Sequence, residues 1–293
     1  MRKLRLGQVD YLNCLPIYEA LEEGEIQLDA KLTKGAPAQL NQLFLAGKLD
    51  ITPISSIEFA RHAEDCYIIP NVSIAANGRV DSILLFSKVP VTELEDKTIS
   101  LTQSSATSVV LLKVLLENYY QLNSINYVTQ PPDLSAMLAK ADAALLIGDD
   151  AMAARAALPE NQQDLYITDL GEVWKEFTGE AMVYALWVIS KKYADKNPEK
   201  VDEVVKAFLE AKEWAANNQE KVVDKAVQRN PILSRELIAE YFTIIRYQLD
   251  EDYRRALLTY YDFAYKSGYI KERVKLQVWG EIDETGDHIR KSS

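Results

Sequence analysis

The chain of 293 residues is 48% hydrophobic, which is enough for a sizeable core and fits either two domains or one large one. Its 33 Lys and Arg residues are outnumbered by 44 Asp and Glu residues, and the net charge of −11 argues against a nucleic-acid partner. The two cysteines, Cys14 and Cys66, are too few for a disulfide scaffold and lack the spacing of a metal site.

The first residues carry basic side chains but neither the apolar core nor the cleavage site of a secretion signal. Nowhere do about 18 apolar residues follow one another, as a membrane-spanning helix requires. We therefore expect a cytoplasmic protein without a membrane partner, and in that reducing compartment the two cysteines are expected to be free thiols.

The chain opens with a predicted strand over residues 4–9, a polar turn, and a helix that starts near Pro16. Asn13 lies between the strand and the helix, in the kind of crevice where α/β folds bind ligands. It either contacts a ligand or only caps the helix.

Strands and helices continue to alternate through the first third of the chain. A half-buried strand is predicted at 26–32, and a helix runs from Pro37 to a stop at Gly47. Ser55 and Ser56 follow the next short strand at the start of another helix, where capping and ligand binding are both open. Ser82 begins an apolar strand, in which it either serves as neutral packing or faces a ligand.

Pro90 interrupts the strand pattern, so we predict that the chain crosses into a second lobe at residues 88–92. The next strand leads into a loop with five hydroxyl side chains in seven positions, Thr102 to Ser108, followed by a helix. The hydroxyls of Thr107 and Ser108, with the free N–H groups of the first helical turn, favour an anion site without Lys or Arg. Redundant capping is the alternative, and no nucleotide phosphate-loop pattern is present.

Asp149 follows the apolar strand predicted at 143–147 and either orients a substrate hydroxyl or caps the next helix. A helical piece is predicted from residue 165, before a second crossing at 179–185 and a buried strand at 185–190 that returns the chain to the first lobe. Amphipathic helices fill the last third, and their Tyr residues are predicted to lie in the core or at its rim.

These elements predict an α/β fold with two lobes and a ligand cleft between them. The first lobe is expected to be discontinuous, from residues 1–90 and 183–293, and the second to span 91–182. An interdomain cleft is a favoured place for a ligand. It would gather the polar residues at the ends of elements, which are Asn13, Ser55, Ser56, Ser82, Thr107, Ser108 and Asp149.

Five segments resemble one known family, in the family's order: YLNCLPIY at 11–18, ISSIEFA at 54–60, DSILLFS at 81–87, ALLIGDDA at 144–151 and DLGEVWKEFTG at 169–179. The family is that of the menaquinone-biosynthesis enzymes with a type II periplasmic-binding-protein fold, in particular chorismate dehydratase of the futalosine route. The resemblance implies that chorismate loses water to give 3-[(1-carboxyvinyl)oxy]benzoate. It also implies that Asn13 and Ser82 are catalytic, whereas Ser55, Ser56, Thr107 and Ser108 bind the substrate.

Such a dehydration needs a base, and histidine is the commonest one. The chain has only His62 and His288, and neither lies at a predicted strand end. The resemblance implies that the enolpyruvyl carboxylate of the substrate itself takes the proton, and Asp149 is the alternative base. We find no cofactor motif or cluster with metal-ligand spacing, and we expect neither a cofactor nor a metal.

Three other functions stay open. The sibling enzyme that makes 1,4-dihydroxy-6-naphthoate resembles this chain, but its pattern includes a histidine base in the second lobe, and no His lies between Lys88 and Ser190 here. A non-catalytic small-anion binding protein is expected to carry a secretion signal. A ligand-sensing regulatory domain is expected to carry a basic helix-turn-helix segment, which is absent.

Overall fold

The computed structural model describes residues 2–159 and 164–281. Within them the strands form two five-stranded sheets. The strands are β1 Leu4–Val9, β2 Ala30–Gly35, β3 Ile51–Ser55, β4 Cys66–Ala76, β5 Ile83–Ser87, β6 Thr98–Thr102, β7 Asn126–Gln130, β8 Ala143–Ile147, β9 Tyr166–Asp169 and β10 Met182–Ser190.

Helices cover the sheets and fill most of the last third of the chain. They are α1 Leu15–Glu22, α2 Pro37–Leu45, α3 Ser56–Arg61, α4 Ala106–Asn118, α5 Leu134–Leu138, α6 Gly148–Ala156, α7 Leu170–Thr178, α8 Lys191–Ala194, α9 Pro198–Asn217, α10 Gln219–Arg229, α11 Arg235–Ile244 and α12 Glu251–Lys266. A short 3-10 turn, Leu12–Cys14, joins β1 to α1. No helix in the described ranges is long and apolar enough to cross a membrane.

Each sheet combines parallel and antiparallel pairs. The first sheet has the order β2-β1-β3-β10-β4, in which β1 runs parallel to β2 and β3, and β10 runs antiparallel to β3 and β4. The second has the order β7-β6-β8-β5-β9, in which β6 runs parallel to β7 and β8, and β5 runs antiparallel to β8 and β9. Strand β10 returns the chain to the first sheet, so this lobe is built from both ends of the sequence.

The first crossing between the sheets lies earlier than the sequence pattern around Pro90 suggested. Strand β5, which the sequence analysis assigned to the first lobe, pairs with β8 from Ile83 opposite Ile147 to Ser87 opposite Ala143. The chain therefore crosses at residues 77–82, and the prediction of a boundary at 88–92 is wrong. Pro90 follows a strand of the second sheet and does not separate the lobes.

Asp169 fixes this crossing to the start of α7. One carboxylate oxygen accepts hydrogen bonds from the N–H groups of Val80 at 3.0 Å and Asp81 at 2.7 Å. The other accepts from Gly171 at 2.9 Å and Glu172 at 3.1 Å and so caps the helix. The helix predicted from residue 165 is wrong at its start, because β9 occupies Tyr166–Asp169.

One hydrophobic core runs through both lobes. Buried residues of both sheets and of the C-terminal helices belong to the same cluster, and a smaller cluster covers the other face of the second sheet. The ring of Trp174 in α7 packs edge-on against Tyr260 and Phe263 of α12, with ring centroids 6.0 and 5.7 Å apart. The two sheets are therefore joined by packed side chains as well as by the two crossings.

Candidate functional site

A cleft opens between the two sheets at the ends of several strands. The 3-10 turn after β1, the end of β3 and the crossing before β5 form one part of its wall. The first turn of α4, the end of β8 and strand β10 form the rest. Of the predicted site residues, the structure brings Asn13, Ser55, Ser82 and Ser108 to this cleft.

Asn13 and Ser82 meet at a third side chain, Tyr241 of α11. The Tyr241 hydroxyl donates a hydrogen bond to Ser82 Oγ at 3.0 Å, and the Asn13 side chain lies close enough to the phenol to lower its pKa. Ser82 is held in place through its own carbonyl, which accepts from the N–H of Gly148 at 2.6 Å. The two candidate catalytic residues, distant in sequence, therefore both line the cleft beside Tyr241, which holds Ser82.

The opposite part of the cleft is lined by hydroxyls. Ser105 caps α4 and accepts a hydrogen bond from the N–H of Ser108 at 3.2 Å, and the two hydroxyls lie 3.0 Å apart. Ser55 Oγ is buried and finds no partner among the described residues. Because a buried hydroxyl rarely stays unpaired, Ser55 is suited to bind a polar ligand atom.

Ser56 and Thr107 do not face the cleft, which corrects their predicted role in substrate binding. Both side chains are fully buried, and their hydroxyl oxygens lie 3.3 Å apart in a contact between α3 and α4. Thr107 Oγ1 also accepts a hydrogen bond from the N–H of Ile57 at 3.1 Å. Neighbouring residues of a first helical turn point in different directions, so Ser55 and Ser108 reach the cleft while Ser56 and Thr107 join the lobes.

Asp149 does not cap α6 with its side chain, and its predicted role toward a substrate stays a prediction. It lies in the first turn of α6, but Oδ1 accepts the N–H of Leu12 at 3.2 Å, across the two lobes, and it does not line the cleft. Burial raises the pKa of the Asp149 carboxyl to about 6, although the bonds from Leu12 and Asn230 act in the opposite direction. The Asp149 carboxyl therefore connects α6 of the second lobe to the 3-10 turn of the first lobe, next to Asn13.

Sequence reasoning missed two tyrosines of the site. Tyr241 was assigned to the core or rim of a C-terminal helix, and no local signal distinguishes it from its buried neighbours. Tyr184 of β10 lines the cleft, and its buried hydroxyl has no partner among the described residues. Gly171 lies against this hydroxyl and leaves no room for a side chain, since a Cβ at position 171 would lie 2.7 Å from the Tyr184 oxygen.

The cleft lining is mostly apolar with a few hydroxyl groups and one amide, and none of the described residues that line it carries a cationic side chain. Its donors are hydroxyls, one amide and the N–H groups at the start of α4, which suit a small anion or a polar ring. His62 lies at the end of α3 and does not border the cleft, and His288 falls outside the described residues. In residues 2–159 and 164–281 no three His, Cys, Asp or Glu side chains are grouped so as to hold a metal ion.

Solved structures with the same fold include solute-binding proteins. A protein from Archaeoglobus fulgidus superposes with a TM-score of 0.77 at 20% identity, covering 92% of this chain and 98% of that one. The periplasmic aliphatic sulphonate binding protein of Escherichia coli superposes with a TM-score of 0.66 at 16% identity, covering 95% and 98%. These likenesses confirm the predicted two-lobed periplasmic-binding-protein fold.

Curated relatives are closer in sequence. Chorismate dehydratase of Thermus thermophilus is 31% identical over 272 residues, which cover 88% of this chain and 93% of the relative. Chorismate dehydratase of Campylobacter jejuni is 30% identical over 64% of this chain and 68% of its own. The family described as menaquinone biosynthesis matches residues 4–266. With most of its length matched, this chain belongs to the menaquinone-biosynthesis family.

Proposed function

We propose that this protein is a chorismate dehydratase, a carbon–oxygen lyase that converts chorismate to 3-[(1-carboxyvinyl)oxy]benzoate and water. The observation that carries the proposal is the pair Asn13 and Ser82, which face one cleft and meet at Tyr241. The relatives named chorismate dehydratase support the choice of substrate.

The reaction fits a site that supplies hydrogen bonds rather than a strong base. One ring proton leaves, the bond between the ring and its hydroxyl breaks, and water is released. The ring becomes aromatic without any oxidant, so the protein has to hold the substrate and stabilise developing charge. In this proposal Asn13 and Ser82 donate hydrogen bonds to the reacting part of the substrate.

The carboxylates of chorismate need donors, since the cleft lining described here has no Lys or Arg. Ser108, the N–H groups at the start of α4 and the unpaired hydroxyl of Ser55 supply them. The dipole of a helix N-terminus contributes roughly 0.3–1 kcal/mol to such binding, and more where water is excluded.

The proton goes to the enolpyruvyl carboxylate of the substrate in this proposal. Neither His62 nor Asp149 lines the cleft, and Asp149 Oδ1 accepts a hydrogen bond from the N–H of Leu12. A general base must come within hydrogen-bond reach of the proton that it removes. The placement of both residues therefore supports the substrate carboxylate over either side chain.

Incubation of the purified protein with chorismate tests the proposal. We expect loss of chorismate and formation of an aromatic product lighter by one water, followed by ultraviolet absorbance and mass spectrometry against a protein-free control. Saturable binding without turnover would instead indicate a small-anion binding protein. The sibling activity that forms 1,4-dihydroxy-6-naphthoate is less favoured, because the sequence has no histidine between Lys88 and Ser190.

A further inference from the structure

The hydroxyl of Tyr241 holds a central place behind the cleft wall. It lies on α11, far along the chain from Ser82, and its side chain is only 1% exposed. Burial raises the pKa of its phenol, so the group stays protonated and remains a donor at any working pH. Both candidate catalytic residues, Ser82 and Asn13, lie next to this hydroxyl.

The direction of these hydrogen bonds determines what Ser82 can do. Because Tyr241 donates its proton to Ser82 Oγ at 3.0 Å, the Ser82 proton is free to point at a bound ligand. The phenol oxygen keeps lone pairs of its own, and the nearby Asn13 side chain lowers the pKa of the phenol. Tyr241 therefore orients Ser82 directly and lies beside Asn13.

The same contact spans the joint between the lobes. Asn13 follows β1 of the first sheet, whereas Ser82 ends the crossing and directly precedes β5 of the second. The backbone after α11 is anchored to the first sheet, since Ala75 and Arg246 exchange hydrogen bonds at 2.9 and 2.8 Å. Tyr241 therefore connects Ser82 to a helix whose C-terminal end is hydrogen-bonded to the first sheet.

We propose that Tyr241 is a positioning residue for the dehydration, acting through Ser82 and Asn13 without touching the substrate. The inference rests on the proposed function, and it gives α11 of the C-terminal region a positioning role in the reaction. Tyr241→Phe removes the hydroxyl and keeps the ring. We expect it to lower kcat roughly 10- to 100-fold, on the scale of misplacing a catalytic group by about 1 Å, with KM changed less than threefold.

Tyr18 provides a matched control. Its buried hydroxyl also has two hydrogen bonds, donating to the carbonyl of Gly7 at 2.7 Å and accepting from Trp187 Nε1 at 2.8 Å, but it does not line the cleft. Tyr18→Phe should lower the melting temperature to a similar degree as Tyr241→Phe and leave kcat within twofold. If the loss of kcat came only from lower stability, Tyr18→Phe and Tyr241→Phe would both show it, and the positioning role of Tyr241 would be overturned.

Double variants test whether Tyr241 acts through its two partners. When Tyr241→Phe is added to Ser82→Ala or to Asn13→Ala, it should lower kcat by a much smaller factor than it does in the wild type. The reason is that the group that Tyr241 positions is already missing. Restoring a donor with 4-aminophenylalanine at position 241 should recover most of kcat. If Tyr241→Phe does not fold, 4-methylphenylalanine, which fills the phenol's space without a donor, replaces it in every comparison.

The outcomes separate this inference from the proposed function. A wild-type protein that leaves chorismate unchanged overturns the proposed function itself. An active wild type with full kcat in the donor-free variant overturns only the role of Tyr241. The role is equally overturned if the loss is as large in both double variants as in the wild type.

Discussion

Replacing Asp149 with Asn should stabilise this protein at neutral pH. The carboxyl has a pKa of about 6 in the folded chain against an ordinary value of 3.8, chiefly because of burial. The folded state therefore binds the proton more tightly than the unfolded state does. The contribution of this carboxyl to stability is most favourable where it is protonated, and that contribution falls as the pH rises from about 4 to about 6.

The size of the effect follows from the two pKa values, which are about two pH units apart. At 1.36 kcal/mol per unit, the ionised carboxyl lowers the free energy of unfolding by about 3 kcal/mol above pH 6. Asp149→Asn removes the charge and keeps an oxygen that can accept the N–H of Leu12. We expect a gain of up to about 3 kcal/mol at pH 7.5 and little change at pH 4.

Urea unfolding between pH 4 and 8 measures this difference. Glu199→Gln is the control, since it removes a carboxylate from the first turn of another helix, α9, where the side chain is exposed. The reasoning is refuted if Asp149→Asn keeps the wild-type pH dependence or is the less stable protein at pH 7.5. The same variant tests the mechanism, because a loss of kcat of about 10³-fold or more would make Asp149 the base.

Other variants and conditions test the rest of the site. Asn13→Ala and Ser82→Ala should each lower kcat roughly 10- to 10³-fold in steady-state assays. His62→Ala should stay active, and an inactive but folded His62→Ala protein would contradict a proton transfer to the substrate's own carboxylate. Thr107→Val leaves the N–H of Ile57 without its acceptor and should lower the free energy of unfolding by about 1–3 kcal/mol with little effect on KM. Unchanged stability with a much higher KM would instead return Thr107 to substrate binding. Activity should survive exhaustive chelation, and a loss restored by a divalent ion would overturn that expectation.

The local signals in the sequence located most elements correctly. The helix starting at Pro37 and its stop at Gly47, where φ is +66°, follow from neighbouring residues alone. The apolar run Ala143–Ile147 is β8, buried as predicted. Such features need no knowledge of distant contacts, and this is why a single sequence suffices for them.

Features that depend on distant pairing were not predictable in the same way. The sheet that receives β5 is decided by its pairing with β8 and β9, about 60 to 80 residues later, and Pro90 was a misleading local cue. Nothing in the pattern separates Ser55 from Ser56, yet one reaches the cleft and the other packs between the lobes. Tyr241 meets Ser82 only after the chain has returned to the first lobe.

The continuous core described above also bears on how the protein folds. Trp174 belongs to a segment of the second lobe but packs against Tyr260 and Phe263 near the end of the chain. A fragment ending before α12 would lack Tyr260 and Phe263 and would expose Trp174, so the lobes are not separate folding units. The chain should unfold in one cooperative calorimetric transition, and the second lobe becomes fully stable only after the C-terminal helices have been synthesised.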